Sequence, residues 1–477
     1  MKIMKKVFVI SFFVFSSSFF TLCRAQYKDM HDFFAPPFDG ENPWGDLTLS
    51  GKTLYGMTSE GGTNNTFNSG CIFSIDTNGN NYKILLDFND TNGGYPLGSL
   101  TLSGGRLYGM TSNGGVSGFG NIFSIDTDGS GFKNLLYFND TNGKSPNGSL
   151  IISGSQLFGM TYAGGIHDSG VIFSIDTNGN NYKKLLDLTK SKGIWPHGAL
   201  IFEGTVLYGM TAEGGVNNEG CIFSIDTNGN NYKKLLDFNF INGKYPTGSL
   251  IYSSGILYGM AQDGGANSEG CIFSIDTNGS GYKDLHDFTA NRYILGAPRG
   301  SLTISGSLLF GMTPGEIGGL GLNGCIFSIN TNGSGFKNMF DFNESGANPW
   351  GSLTYASGEL YGMTYNGGAN QNGVVFKIDT DAVSTASLNN IHKGSGLINV
   401  YPNPNNGKFT LSLSNVNAAC NIEIYNILDE KVYAETLLQS QSNNSINLTG
   451  QPSGVYFYRV LDEDGGLVGS GKVVIQK

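Results

Sequence analysis

Short runs of alternating apolar and polar residues, separated by turns, recur along the chain from about residue 27 to residue 380. The four runs of one unit span residues 98–103, 106–111, 121–126 and 132–138. Alternation with a period of two is typical of a strand with one face buried, and the Gly- and Asn-rich dipeptides between the runs are typical of tight hairpins. Each unit is therefore predicted to form a four-stranded antiparallel sheet.

The unit occurs seven times. The triplet (Tyr/Phe)-Gly-Met marks the second strand of each copy, and it begins at Tyr55, Tyr108, Phe158, Tyr208, Tyr258, Phe310 and Tyr361. A spacing of about fifty residues indicates a repeat architecture. Because a four-stranded sheet with two apolar faces cannot bury both alone, the pattern predicts seven sheets packed radially, which is an all-β, seven-bladed β-propeller.

The seventh unit lacks a fourth strand, and a matching strand stands near the N-terminus. Residues 27–33 differ at one position from residues 282–288, the fourth strand of the fifth unit. We therefore predict that the N-terminal strand completes the seventh sheet beside residues 374–379 and closes a ring, which removes an open sheet edge. A solenoid is the alternative, but it leaves both ends open and does not need this offset.

The composition agrees with many short strands. Glycine accounts for 72 of 477 residues, charged residues for 14% and aromatic residues for 12%. Glycine at this frequency disfavours long helices, and the aromatic content provides ample apolar area for a core. The formal net charge is −10, with no basic run in the body of the chain. Nucleic acid is therefore not an expected partner, because its binding depends on neutralising phosphates.

The N-terminus has the layout of a secretory signal peptide over residues 1–25. Lysines precede an apolar stretch at 7–22, and small residues follow before Gln26. A membrane anchor is the alternative, but the stretch is short for a membrane span and rich in hydroxyl groups. Lipidation at Cys23 also stays open, although Leu22 stands where a small residue is expected. The mature chain is expected to have no transmembrane segment.

Five cysteines remain after the predicted cleavage, and four of them share one repeated position before Ile-Phe-Ser-Ile. These four are Cys71, Cys221, Cys271 and Cys325, and the fifth is Cys420. Other copies hold Asn or Val at this position, which is typical of a small buried site. We predict free thiols, with neither disulfides nor a metal site.

Taken together, the repeated motifs resemble a known tandem repeat. The series Gly-x-Ile-Phe-Ser-Ile-Asp-Thr-Asn-Gly, Tyr-Lys-x-Leu-x-Asp-Phe, Pro-x-Gly-x-Leu and Leu-Tyr-Gly-Met-Thr is similar to the GloVer repeat over about residues 27–380. That family usually has a small residue or Thr where this chain has Met57 and its equivalents. The resemblance implies an exported module and brings no assigned activity.

A linker rich in Ser, Asn and Gly at 382–398 separates the repeats, residues 26–381, from a C-terminal domain at 399–477. Six or seven short alternating strands in this domain are typical of a small Ig-like β-sandwich. The domain resembles the type A C-terminal sorting domain of the type IX secretion system, and the motif residues include Tyr401, Pro402, Asn403, Pro404, Gly454, Tyr456 and Lys472. The resemblance implies the type IX machinery as a partner, passage through the periplasm, and delivery to the outer-membrane cell surface or the medium with removal of the domain.

Each link between a fourth strand and the next first strand contains Pro-x-Gly. The residue x is predicted to ring the mouth of the central channel, and it is in turn Trp44, Leu97, Asn147, His197, Thr247, Arg299 and Trp350. The residue before proline adds three aromatic side chains. Because aromatic faces stack on sugars and His and Arg donate hydrogen bonds, we predict a ligand-binding site formed by Trp44, Tyr95, Trp195, His197, Tyr245, Arg299 and Trp350. Aromatic residues that only fill wedges between blades are the alternative.

Two classes of function remain open. The first is a binding module for extracellular glycan or protein. The second is a polysaccharide lyase or glycoside hydrolase that pairs an acid with a base on the same loop-rich face. Its candidate residues are His167, His197, Glu60, Glu213, Asp263 and Glu316.

The binding module is favoured over the enzyme, because the sequence has no nucleophile motif, phosphate-binding loop or zinc spacing. Asp-Thr-Asn-Gly recurs after the third strands and could suggest calcium, but the rest of the calcium-ligand pattern is missing. Asn-Gly is also a strong hairpin signal, so we interpret these segments as turns. No cofactor and no metal are expected.

Overall fold

The computed structural model describes residues 27–34, 38–63, 68–289, 297–314, 323–342, 346–380, 398–413, 420–426, 430–437, 443–461 and 467–477. The chain divides into two compact units, one formed by residues 26–380 and the other containing the C-terminal residues from 398 onwards. Every regular element of the described residues is a β-strand, so the predicted all-β class is confirmed. The predicted signal peptide and most of the predicted linker lie outside the described residues.

The described part of the repeat region forms seven four-stranded sheets, which we number blades 1 to 7 in the order of their first strands. The first strands are Thr48–Ser50, Thr101–Ser103, Ile151–Ser153, Ile201–Glu203, Ile251–Ser253, Thr303–Ser305 and Thr354–Ala356. The second strands are Thr53–Thr58, Arg106–Thr111, Gln156–Thr161, Val206–Thr211, Ile256–Ala261, Leu308–Pro314 and Glu359–Thr364. The third strands are Cys71–Asp76, Asn121–Asp126, Val171–Asp176, Cys221–Asp226, Cys271–Asp276, Gly324–Asn330 and Val374–Asp379. The fourth strands are Lys83–Asp87, Lys133–Tyr137, Lys183–Asp187, Lys233–Asp237, Lys283–Asp287, Lys337–Asp341 and, for blade 7, Lys28–Asp32. A short pair, Asp39–Glu41 with Glu60–Gly62, lies beside blade 1.

Strands within a blade pair antiparallel in the order first to fourth. The second and third strands pair in continuous register, as when Arg106 faces Asp126 and Thr111 faces Asn121. The first strand is shorter than predicted: in blade 2 it begins at Thr101, not at residue 98. The reason is that the preceding residues contact the next blade, and the amide of Ser99 donates to Ser149 Oγ at 2.7 Å.

Blade 7 takes its fourth strand from the N-terminus, as predicted. Lys28–Asp32 pairs antiparallel with Val374–Asp379, with Lys28 opposite Lys377 and Asp32 opposite Val374. Phe33, the residue after the strand, is fully buried, and its amide donates to the carbonyl oxygen of Gly373 at 3.1 Å. The chain therefore joins its first described residues to its last repeat.

The apolar core is divided among the interfaces between successive blades. Between blades 1 and 2, for example, Tyr55 and Met57 pack with Leu107 and Phe123. A similar cluster lies between blades 7 and 1. It contains Met30 of the N-terminal strand and Phe33, the residue after that strand, together with residues of both blades. Each sheet thus buries its two faces against its neighbours, which is the reason for the repeated apolar pattern.

The innermost part of the ring is a closed circle of seven glycines. A Cβ atom added at Gly45 would collide with the carbonyl oxygen of Gly98, and the same relation continues through Gly148, Gly198, Gly248, Gly300 and Gly351 back to Gly45. Hydrogen bonds run the same way between most neighbouring blades, and the amide of Ser352 in blade 7 donates to Asp46 Oδ1 in blade 1 at 2.5 Å. Only glycine permits this close approach of backbones.

The Asp-Thr-Asn-Gly segments form hairpin turns, as predicted. In the first of them the amide of Gly79 donates to the carbonyl oxygen of Asp76 at 2.8 Å. Each turn is also bonded from the preceding blade, since Lys28 Nζ donates to Asn78 O at 3.0 Å and Lys83 Nζ to Asp128 O at 3.1 Å.

The five cysteines of the described residues are buried thiols that form no disulfide, as predicted. Burial raises the pKa of Cys221 to about 11, so this thiol is protonated at neutral pH. No group of His, Cys, Asp or Glu within the described ranges is arranged to hold a metal ion.

The C-terminal unit consists of two sheets. One contains Ile398–Tyr401, Lys408–Leu413 and Asn443–Asn447, and the other contains Lys431–Leu437, Cys420–Tyr425, Gly454–Leu461 and Leu467–Ile475 in that spatial order. The core of the unit includes Phe409, Leu411, Ile422, Tyr456 and Val473.

The start and the end of the sorting motif lie next to each other in the C-terminal unit. Asn403 Nδ2 donates to Lys472 O at 3.0 Å, and Tyr456 is buried with its hydroxyl donating to Pro452 O at 2.9 Å. Tyr401 is half exposed. The start and the end of the motif are therefore bonded to each other.

Candidate ligand-binding site

A cavity of about 500 Å³ opens at the centre of the loop-rich face. The residue x of each of the seven Pro-x-Gly links lines this cavity: Trp44, Leu97, Asn147, His197, Thr247, Arg299 and Trp350. A much narrower space, lined by these residues and by the glycine circle, continues below it. Each blade therefore contributes one residue of its Pro-x-Gly link to the wall of the cavity, above the close-packed backbone of the glycine circle.

The backbone conformation of the residue before proline determines the position of each wall residue. The residue before proline has a left-handed backbone in all seven links, with φ of 57° at Trp195. The amide of Trp195 donates to Ser169 O in the preceding loop at 3.1 Å, and its carbonyl oxygen accepts from the amide of Ala212 in blade 4 at 3.3 Å. A bulky residue with positive φ is unusual and costs free energy, so the surrounding hydrogen bonds must maintain it. They fix the direction in which the next residues leave the link.

Three aromatic rings form a cluster where blades 7 and 1 meet. The centroids of the Trp44 and Trp350 rings are 4.3 Å apart, as expected if the blades are neighbours. Tyr365 stacks on Trp350 at 3.9 Å and meets Trp44 edge-on at 5.6 Å. All three side chains are half-buried, so the cluster presents an aromatic surface to the cavity while its rings support one another.

A second aromatic group lies across the ring, at blades 3 and 4. Tyr162 stacks on Trp195 with centroids 5.9 Å apart and meets His197 edge-on at 5.0 Å. Tyr245 follows at blade 5, where Lys244 Nζ lies 4.4 Å from the centre of its ring. The wall thus carries aromatic surface on two opposite sides.

Polar groups stand between the aromatic ones. Asn147 Nδ2 lies 3.3 Å from His197 Nδ1, and Glu213 and Gln262 also line the cavity. Burial, and secondarily the positive charge of Arg299, lowers the pKa of His197 to about 4. The imidazole is therefore neutral at pH 7 and has one donor and one acceptor nitrogen.

We expect His197 to remain neutral down to about pH 4 in the folded protein. Because its pKa in the unfolded chain is near the ordinary 6.5, the unfolded chain takes up this proton first as the pH falls. The free energy of unfolding should therefore decrease as the pH falls from about 6.5 to about 4. The part of this decrease that is due to His197 should be absent in His197→Gln. NMR titration of the ring measures the pKa directly. A midpoint near 6.5 in the folded protein would contradict the burial of this side chain.

The structure brings six of the seven predicted site residues to one cavity. Tyr95 is the exception: it does not line the cavity, although it occupies the same link position as Trp195 and Tyr245. The sequence also missed Tyr162, Gln262 and Tyr365, which all directly follow the end of a second strand. This position varies between copies as Ser, Ser, Tyr, Ala, Gln, Pro and Tyr. A variable residue between constant neighbours was the signal that identified the Pro-x-Gly positions, and the same signal would have identified the position after the second strand.

The acids and histidines proposed for catalysis do not all converge. Glu213 and His197 line the cavity, whereas Glu60, His167 and Asp263 are not among its lining residues. His167 is exposed, and Glu316 lies outside the described residues. Among the described residues that line the cavity, Glu213 is the one carboxylate.

The fold and the repeats define the class of the protein, an all-β propeller of repeated four-stranded sheets. The model of the Gloeobacter/Verrucomicrobia repeat matches residues 18–165 and 135–321, and the chain belongs to this family. The model of the secretion system C-terminal sorting domain matches residues 399–476, so the chain is a type IX secretion substrate that reaches the cell surface or the medium. Both resemblances inferred from the sequence are thus confirmed. No curated protein matches the chain.

The chain is similar to solved structures at low sequence identity. The extracellular domain of a putative hybrid two component system from B. thetaiotaomicron is 11% identical, with a TM-score of 0.51, 95% of this chain covered and 59% of that chain. PorZ, a bacterial surface component of the type-IX secretion system of Porphyromonas gingivalis, is 13% identical, with a TM-score of 0.48 and 94% and 61% covered. The β-propeller domain of the Trilobed protease from Pyrococcus furiosus is 10% identical, with a TM-score of 0.42 and 71% and 96% covered. The chain spans about three fifths of the length of the first two.

In the described parts of the chain we find no helix of the length and apolarity needed to span a membrane.

Proposed function

We propose that this exported propeller is a binding module that holds an extracellular carbohydrate in the central cavity. The observation that supports the proposal most directly is the wall itself. Aromatic side chains stand on two sides of the cavity, and His197, Asn147, Glu213 and Gln262 lie between them. Sugars have apolar faces of C–H groups and edges of hydroxyl groups, so an alternation of aromatic rings with donors and acceptors fits their chemistry.

The size and shape of the cavity agree with this proposal. Its volume of about 500 Å³ lies within the range of about 300–1,000 Å³ that is usual for sites of small ligands. The wall positions are borne by links that are bonded to two blades, so the site is formed before a ligand arrives. A preformed wall reduces the entropy lost on binding.

The lyase or hydrolase alternative would use the same wall. General acid–base catalysis of glycosidic cleavage commonly requires a pair of carboxylates. One carboxylate among the described lining residues favours recognition over hydrolysis, and a lyase would be identified by an unsaturated product.

A glycan screen with a product assay tests the proposal. The purified full chain is passed over immobilised neutral and acidic oligosaccharides, and each retained glycan is then incubated with it and examined by mass spectrometry. Retention of a glycan with no change in its mass is the expected result. A shortened or unsaturated product would favour the enzyme, and retention of no glycan at millimolar concentration would contradict the proposal.

A further inference from the structure

Arg299 is the wall residue of blade 6, between Pro298 and Gly300. Its side chain is half-buried and lines the cavity. The carbon atom of its guanidinium group lies 5.2 Å from the centre of the Trp350 ring. Its backbone is held by blade 5, since Thr247 Oγ1 donates to Arg299 O at 3.2 Å. The position of the charge is therefore determined by two neighbouring blades.

No carboxylate of the described residues forms an ion pair with Arg299, although the other cation near this wall is paired. Lys244 Nζ lies 3.4 Å from Glu219 Oε2. Asp263 is the acidic group that acts on Arg299 electrostatically, but from beyond ion-pair distance. Burial lowers the pKa of Arg299, and Asp263 opposes that effect. A partly buried cation is costly unless an anion or several acceptors satisfy it.

The guanidinium group lies over the Trp350 ring, and its N–H groups make no hydrogen bond to another described residue. An arginine edge is a fork of donors that matches the two oxygen atoms of a carboxylate or sulfate group. His197 is neutral, so Arg299 is the one positively charged side chain among the described residues that line the cavity. A ligand with one acidic group would therefore be oriented by a single contact.

We propose that Arg299 is the specificity residue for an acidic sugar, whose carboxylate or sulfate group accepts hydrogen bonds from the guanidinium edge beside Trp350. This inference rests on the proposed carbohydrate site and adds the chemical class of its ligand. The net charge of −10 gives no general attraction for polyanions. Selectivity for an acidic sugar must therefore arise locally, at this wall position.

The test compares three ligands that differ in charge. These are a uronic-acid oligosaccharide, the same oligosaccharide with its carboxyl groups reduced to alcohols, and a sulfated form of the neutral sugar. Calorimetry with the full chain should show that at least one of the acidic ligands binds about 10-fold or more tightly than the neutral one, the factor expected for a hydrogen bond to a charged group. Which acidic ligand binds distinguishes carboxylate from sulfate recognition. The affinity for the acidic ligand should also fall with added salt, and that for the neutral ligand should not.

Arg299→Gln should remove the preference, because it should weaken the binding of the acidic ligand about 10-fold more than that of the neutral one. Arg106→Gln is the matched control, because Arg106 is paired with Asp126 at 3.2 Å on a second strand and does not line the cavity. If Arg299→Gln does not fold, Arg299→Lys keeps the charge but loses the fork, and the salt dependence of the unmodified chain needs no variant. Equal affinities for acidic and neutral ligands, or equal losses of both in Arg299→Gln, would overturn the inference and leave carbohydrate binding intact. Absence of binding to all three would contradict the proposed function itself.

Discussion

Removal of residues 26–34 is expected to destabilise the whole ring by about 5 kcal/mol or more, a large part of the stability of a typical domain. The deletion takes away the fourth strand of blade 7 and exposes the backbone of Val374–Asp379. It also removes Met30 and Phe33 from the core between blades 7 and 1. Truncation of a buried Phe alone costs about 3–5 kcal/mol and of a buried Met about 2–5 kcal/mol. Thermal unfolding of the truncated and full chains measures the difference.

Two neighbouring phenylalanines provide a matched control for this experiment. Phe33 is fully buried, whereas Phe34 is 54% exposed. Phe33→Ala should therefore cost about 3–5 kcal/mol, and Phe34→Ala should change the stability by less than about 0.5 kcal/mol. A truncated chain that melts at the same temperature as the full chain would show that the N-terminal strand does not close the ring.

Substitution of both Trp44 and Trp350 by alanine is expected to abolish glycan retention while the protein remains folded. The two indoles contact each other and Tyr365, and both line the cavity. Because they are half-buried, their loss should cost less stability than the roughly 3–5 kcal/mol of a fully buried aromatic residue. Loss of both indoles removes a large part of the surface that contacts the ligand. Glycan binding and thermal unfolding are measured on the same preparation.

Tyr95→Ala is the control for the tryptophan pair, since Tyr95 is an aromatic residue of a Pro-x-Gly link that does not line the cavity. It should leave glycan affinity unchanged. If the double variant instead loses stability by about 3–5 kcal/mol and each folded molecule binds as before, the indoles serve to wedge blades 7 and 1 together and the binding role fails.

Most of the fold could be predicted from the sequence, because the same alternation of apolar and polar residues occurs in seven copies. The second and third strands of blade 2 have the bounds that alternation indicated, Arg106–Thr111 and Asn121–Asp126. The near-identity of residues 27–33 to 282–288 indicated the closing strand. The first strand was predicted too long, since residues 98–100 alternate like a strand but bond to the adjacent blade rather than to their own sheet.

The candidate site was less predictable, because one position of the repeat can place a side chain toward the cavity in one copy and away from it in another. Tyr95 and Trp195 share a link position and a left-handed backbone, yet only Trp195 lines the cavity. The difference arises from neighbours: Trp195 stacks on Tyr162 of the preceding blade, whereas the equivalent residue of the blade before Tyr95 is Ser59, which has no ring. Side-chain contacts between adjacent copies are not contained in the pattern of a single copy.

The glycine circle has a consequence for how such a protein can diversify. Every blade meets its neighbours through the same glycine contact and the same type of link, whichever side chain stands between proline and glycine. Recombination that exchanges one repeat for another would therefore replace the wall side chains of one blade, such as Thr247 by His197, without altering the glycine contacts on either side. A gene of similar repeats can in this way change the chemistry of its cavity one blade at a time, by duplication and unequal crossing-over as readily as by point mutation.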